Sequence, residues 1–189
     1  MTDKKRPYLC HGEEFEHKGY TFRVRFERDD FMNEPWKECD GHGVVSDWTS
    51  DGRPRKGQRV LRQDRFSCRY YDFHESLKIA IRDGWRAPDE PDPTKAEAVI
   101  EGMGGNRREI IRRAKRAVEA DFEYLWAWCN DRWEYLVVFV DWADDLDVST
   151  NISGVESYKD YHQEVVWELA DELMSQIEVD EPDIVLSEN

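Results

Sequence analysis

The chain has 189 residues, of which 37% are charged and 13% aromatic, and a formal net charge of −15. The aromatic content excludes a disordered chain, and no apolar run reaches the ~18 residues of a membrane-spanning helix. The charge is uneven: residues 1–130 are balanced, whereas residues 131–189 hold two basic and seventeen acidic residues and so carry all of it.

In chain order, residues 1–13 read as a flexible arm. Tyr20, Phe22, Val24 and Phe26 alternate with polar residues, the pattern of a half-buried strand. Residues 31–42 read as a connection, 43–49 as a short strand, and 59–62 with 65–71 as a broken third strand whose Phe66, Cys68 and Tyr70 share one face. Short links between these strands predict an antiparallel meander. Asp72 is placed to cap a helix carrying Phe73, Leu77, Ala80 and Ile81, and Gly84 to stop it. The three prolines of 87–93 form a spacer, Thr94 caps a short helix over 95–101, and Gly102–Gly105 breaks it. A long basic helix follows from 106 to about 128, its inner face Ile110, Ala114, Ala117, Val118, Phe122 and Leu125. Residues 133–140, apolar on both faces at the end, predict a central strand covered by a helix on one side. Residues 141–151 read as an acidic loop and 152–155 as a short edge strand. Ser157 with Asp160 resembles a capping box. The last helix runs from 158 to about 177 with Tyr161/His162, Val165, Leu169, Leu173 and Ile177 inside, and 178–189 form a loose acidic tail. The fold class is therefore α+β: one domain over 14–177, an antiparallel sheet of four to five strands with helices packed on it.

The acids of the last helix are the leading candidate surface. Asp160, Glu164, Glu168 and Glu172 recur every four residues, with Asp171 beside them, and Asp144, Asp145 and Asp147 lie just before. Like charges at this spacing repel by a few tenths of a kcal/mol per pair. A carboxylate row about 6 Å apart is a coarse copy of a nucleic-acid backbone, and it equally describes an ordinary solvated face. The basic segments 53–69 and 107–116 fit phosphate contact or neutralisation of the protein's own acids.

Asp145, Asp147, Ser149, Asn151, Ser153 and Glu156 match the ligand count of a calcium loop, but Thr150 stands where its sharp turn needs glycine. Cys10-His11 and Cys39-x-x-His42 lack the paired spacing of a zinc site. No nucleophile, phosphate-loop or dinucleotide motif is present, so no catalytic residue, metal or cofactor is assigned, and a binding protein is favoured over an enzyme. The N-terminal residues MTDKKRPYLCHGEEF lack the apolar stretch of a signal peptide, which with four scattered cysteines implies free thiols in a cytosol. Trp126, Trp128 and Trp133 read as core, and Trp36, Trp48 and Trp142 as candidates for an exposed anchor.

Three stretches resemble a family of small acidic accessory proteins of bacterial viruses and prophages. They are Tyr70-Tyr71-Asp72-Phe73 through Trp85, Ala117 through Asp121-Phe122 to Trp133-Glu134-Tyr135, and Gly154-Val155-Glu156-Ser157 with Glu168 to Leu173. Together they span about residues 60 to 174, with a departure at Leu136-Val137-Val138, where relatives tend to carry a Val-Gly-Val type strand. The family has no assigned activity, so no catalytic residue is carried over. The resemblance implies a viral protein in the bacterial cytoplasm. With the charge, it leads to an expected inhibitor of a host nucleic-acid-binding defence complex, anti-CRISPR or anti-restriction, with direct nucleic-acid binding disfavoured. The alternatives are an accessory protein whose acids only solubilise it and a calcium- or metal-dependent enzyme using the 145–156 segment.

Overall fold

The structure is a computed structural model that describes residues 6–50, 52–90 and 107–180, with side chains as far as Ile177. In chain order its elements are β1 (Glu14–His17), β2 (Tyr20–Arg28), α1 (Pro35–Glu38), β3 (Val44–Val45), β4 (Gln58–Gln63), β5 (Cys68–Asp72), α2 (Phe73–Asp83), α3 (Arg107–Cys129), β6 (Tyr135–Trp142), β7 (Asp145–Glu156), a 3-10 turn (Tyr158–Asp160) and α4 (Tyr161–Asp180). Helices and antiparallel sheets make the expected α+β class, but the strands form two sheets, β1-β2-β6-β7 and β3-β5-β4, where the sequence suggests one. The chain divides into two compact units: unit 1 is Met1–Met32 with Trp133–Asn189, and unit 2 is Asn33–Arg132. The predicted helix at 95–101 and its glycine break lie outside the described residues.

In unit 1 the apolar alternation of β2 meets that of β6. Val24 pairs with Val140 and Phe26 with Val138, so Phe22, Val24, Val138 and Val140 share one face and are fully buried. α4 covers this face with Val165, Val166, Leu169, Ala170 and Leu173. Each large apolar side chain buried there contributes about 1.5–3 kcal/mol. β6 is thus central and helix-covered, as its composition predicts. On its other face Arg25 lies 4.5 Å from the Phe139 ring centroid and donates to the buried Asp141 at 2.8 Å. That hydrogen bond raises the guanidinium pKa further.

Three expectations for unit 1 need correction. The segment 6–13 is no loose arm over its whole length: Leu9 is buried, and its backbone N–H and C=O are both bonded by the Gln163 side chain, at 2.7 and 3.0 Å. Residues 145–151 are not a loop but the first half of β7. Their Ser, Thr and Asn content hides a strand held by its ladder to β6 rather than by an apolar pattern. Ser157 caps nothing; its hydroxyl is exchanged with the backbone of Glu134 instead.

In unit 2, β5 lies between β3 and β4. The Asp72 carboxylate accepts from the His74 and Glu75 N–H groups at 3.0 Å, and Gly84, at φ +69°, ends α2 in the left-handed conformation that glycine adopts without strain. α3 buries Ala114, Ala117, Val118 and Leu125, the expected inner face. Its Asp121 accepts three hydrogen bonds, from Tyr71 Oη at 2.7 Å, Gly43 N at 2.8 Å and His42 Nδ1 at 2.6 Å. Burial, then the Asp121 charge, pushes the Tyr71 phenol well above its usual range. Gly43 is required there, because a Cβ would fall 2.2 Å from the Tyr71 hydroxyl oxygen. Phe66, expected in the core, is 76% exposed in the turn between β4 and β5, because β5 starts only at Cys68.

One buried group of unit 1 makes its stability acid-sensitive. His162 is 6% exposed, edge-on to Phe26 and Tyr8, and its Nδ1 has no hydrogen-bond partner among the described residues. Burial depresses its pKa, against a smaller opposing pull from Asp160. The neutral ring's contribution is present above the unfolded value of about 6.5 and is lost as pH falls from there through the lower folded value. Urea unfolding measured across pH 8 to 5 is expected to weaken on the acid side, and His162→Phe to remove that part of the loss. An unchanged acid limb in the variant contradicts this assignment.

Candidate functional site

α4 sorts its residues by burial. Val165, Val166, Leu169, Ala170, Leu173 and Ile177 are inside, which leaves Glu164, Glu168 and Glu172 on the outer face, all exposed. At 1.5 Å per residue the three carboxylates repeat about every 6 Å, roughly half the linear charge density of one DNA strand. Asp160 is exposed but precedes the helix, in a turn where Lys159 and Asp160 both have positive φ. It therefore extends the row at an angle rather than in line.

Asp171 has a different role from the expected one. It is half-buried and accepts from Lys18 Nζ and His17 Nε2, each at 2.7 Å. These bonds hold its carboxyl below the usual range. It anchors α4 to the β1–β2 turn rather than offering a free charge. The same end of the sheet carries the remaining candidates. Phe22 pairs with Trp142, and Ala143 N donates to the Thr21 carbonyl, so the β6–β7 turn lies at the β1–β2 turn end. Asp144, Asp145 and Asp147 are exposed there, with Asp145 shaping the turn by accepting the Asp147 N–H at 3.1 Å. Among the described residues, Asp144, Asp147, Glu164 and Glu168 make no ion pair. Among the described residues, Glu172 accepts only from Gln176, at 3.5 Å.

Unit 2 is electrically neutral. It holds nineteen basic and nineteen acidic residues, whereas unit 1 holds eight and twenty-three, so the entire −15 resides in unit 1. The basic segments are largely answered within unit 2. Arg59 pairs with Glu119 at 2.6 Å, Arg62 with Asp131 at 3.0 Å, Arg112 with Glu109, Arg113 with Glu90 at 3.0 Å and Arg116 with Asp89 at 2.9 Å. A cavity of about 410 Å³ opens beside α2 and α3 over Phe73, Leu77 and Val118, but its rim charges Arg59 and Glu119 are bonded to each other.

The metal readings lose their geometry. Asp145 to Glu156 is extended, and at about 3.3 Å per residue its oxygens spread along the strand rather than around one ion. His42 Nδ1 is engaged by Asp121, and His11 Nδ1 by the backbone of Phe26. All four cysteines are free, Cys68 and Cys129 buried. Among the described residues no group of three or more His, Cys, Asp or Glu is placed to hold a metal, and no helix is long and apolar enough to cross a membrane. Comparison with protein-family models, with curated proteins and with solved structures gives no match.

The acidic row has a cost in stability. Glu168 has a glutamate four residues away on either side, so Glu168→Gln removes two like-charge contacts. It is expected to raise the unfolding free energy by about 0.3–1 kcal/mol at low salt, and the gain should shrink at ~1 M salt, where the Debye length is about 3 Å. A loss of stability, measured by urea titration at the two salt concentrations, contradicts the repulsion.

Proposed function

We propose that the chain is a non-enzymatic, virus-encoded inhibitor of a host nucleic-acid-binding defence complex, of the anti-CRISPR or anti-restriction kind, acting in the bacterial cytoplasm. Its acidic unit occupies the cationic groove in which that complex holds nucleic acid. The observation that carries this reading is the exposed row Glu164, Glu168 and Glu172, none of them in an ion pair among the described residues, on a unit that holds the whole net charge. The β6–β7 turn acids Asp144, Asp145 and Asp147 widen the surface. Mutual repulsion along the row is relieved when cations interleave with it, and the binding free energy includes that relief. Asp171 supports the surface by fixing α4. The viral setting comes from the family resemblance, and the defence target from that setting taken together with the charge.

Attraction between an acidic face and a basic groove makes association fast and strongly salt-dependent. Tagged protein incubated with nuclease-treated lysate of bacteria carrying such systems is expected to capture a nucleic-acid-binding defence complex at low salt. Capture is expected to fail at high salt and with the double variant Glu164→Lys, Glu168→Lys. Empty capture across several such hosts, or capture indifferent to both charge reversals, contradicts the proposal.

A further inference from the structure

Three large aromatic side chains of unit 2 are exposed: Trp48 at 43%, Phe66 at 76% and Trp126 at 40%. Each has an arginine over its ring. Arg69 lies 4.9 Å from the Trp48 centroid, Arg65 5.0 Å from Phe66 and Arg132 5.9 Å from Trp126. The fold gathers the three pairs at one end of the unit. Trp48 precedes Thr49, which bridges to Cys68, two residues beyond Phe66. The end of α3 is tied to the adjoining strand, since Asn130 Nδ2 donates to the Leu61 carbonyl at 2.8 Å and Arg62 to the Cys129 carbonyl at 2.5 Å.

Arg69 is the fixed member. It is 8% exposed, lies between Trp48 and Trp36 at 4.9 Å from each centroid, and its Nε–H has no hydrogen-bond partner among the described residues. Its guanidinium therefore braces the inner side of the Trp48 indole, which lowers the ordering cost of stacking on the exposed side. Arg65 and Arg132 make no ion pair with a described carboxylate, in contrast to the paired arginines of α3.

The geometry points to a platform for single-stranded nucleic acid, whose unpaired bases stack on Trp48, Phe66 and Trp126 while Arg65 and Arg132 meet the phosphates. Aromatic faces accept any base, arginine adds cation–π attraction and backbone contact, and a duplex hides the faces that stack. The neutral balance of unit 2 sets up no long-range repulsion of a phosphate chain from that unit. The platform shares no residue with the acidic row, so the two proposals stand or fall separately.

The test is fluorescence anisotropy of the full chain with a dye-labelled oligo-dT of about 20 nucleotides, against a duplex of the same length, at ~0.05 and ~0.2 M salt. The single strand is expected to bind at least tenfold tighter than the duplex. Phe66→Ala is expected to weaken it about fivefold or more, and Trp48→Ala with Phe66→Ala more than either alone. Glu164→Lys with Glu168→Lys should not weaken it. Phe66 is mostly exposed, so its variant keeps the fold even where Trp48→Ala does not. The proposal is overturned by the absence of an anisotropy change up to ~100 μM chain, by equal binding to duplex, or by indifference to Phe66→Ala and Arg65→Glu. It is equally overturned if the aromatic patch is needed to capture a protein while the oligonucleotide is ignored.

Discussion

The antiparallel ladder between β2 and β6 is the constraint on which unit 1 depends. It joins Phe22 to Trp142 and Arg28 to Leu136, strands separated by the whole of unit 2 in the sequence. Closing so long a connection is entropically affordable because the cost grows only with the logarithm of its length. The return comes from burying Phe22, Val24, Val138 and Val140 beneath α4. Once that face exists, the rest of the unit has few choices. β1 and β7 add at the two edges, and Leu9 is drawn in beside Gln163.

The same burial decides where the charge goes. α4 must turn Val165, Leu169 and Leu173 to the sheet, so residues 164, 168 and 172 face outward. An exposed face of a helix tolerates many sequences, and a mixed row with lysines would be more stable than three glutamates in register. Several cationic side chains of unit 2 find acids in their own unit, whereas Glu164, Glu168 and Glu172 pair with no cation among the described residues. This exposed acidic row, on the unit that holds all the net charge, is the feature on which the proposed partner surface rests.

Much of unit 1 and of the helices was legible because periodicity and capping speak plainly there. Asp72 and Gly84 bracket α2, the inner face of α3 is the one its spacing predicts, and the apolar run of β6 places it centrally. Only the 152–155 end of β7 was legible, as a short edge strand, since Ser149, Thr150 and Asn151 read as loop until a ladder partner is known. The division into two units was hidden because it depends on which strands pair, not on any one strand's composition. In the acidic surface, exposure of Glu164 and Glu168 followed from helix phase. The engagement of Asp171 by His17 and Lys18 could not, because those residues are distant in sequence. The exposed Phe66 was missed for a similar reason, as two residues' difference in where β5 begins moves its ring from sheet face to turn.

The most direct measurement is competition. A captured defence complex is loaded with labelled nucleic acid, and the chain is titrated against it at low salt. Occupation of the nucleic-acid groove by the acidic unit predicts mutual exclusion, in which the apparent Kd of the chain rises in proportion to nucleic-acid concentration and the Glu164→Lys, Glu168→Lys variant displaces nothing. A stable ternary complex holding both the chain and the nucleic acid, with the label undisplaced at saturation, would contradict the account.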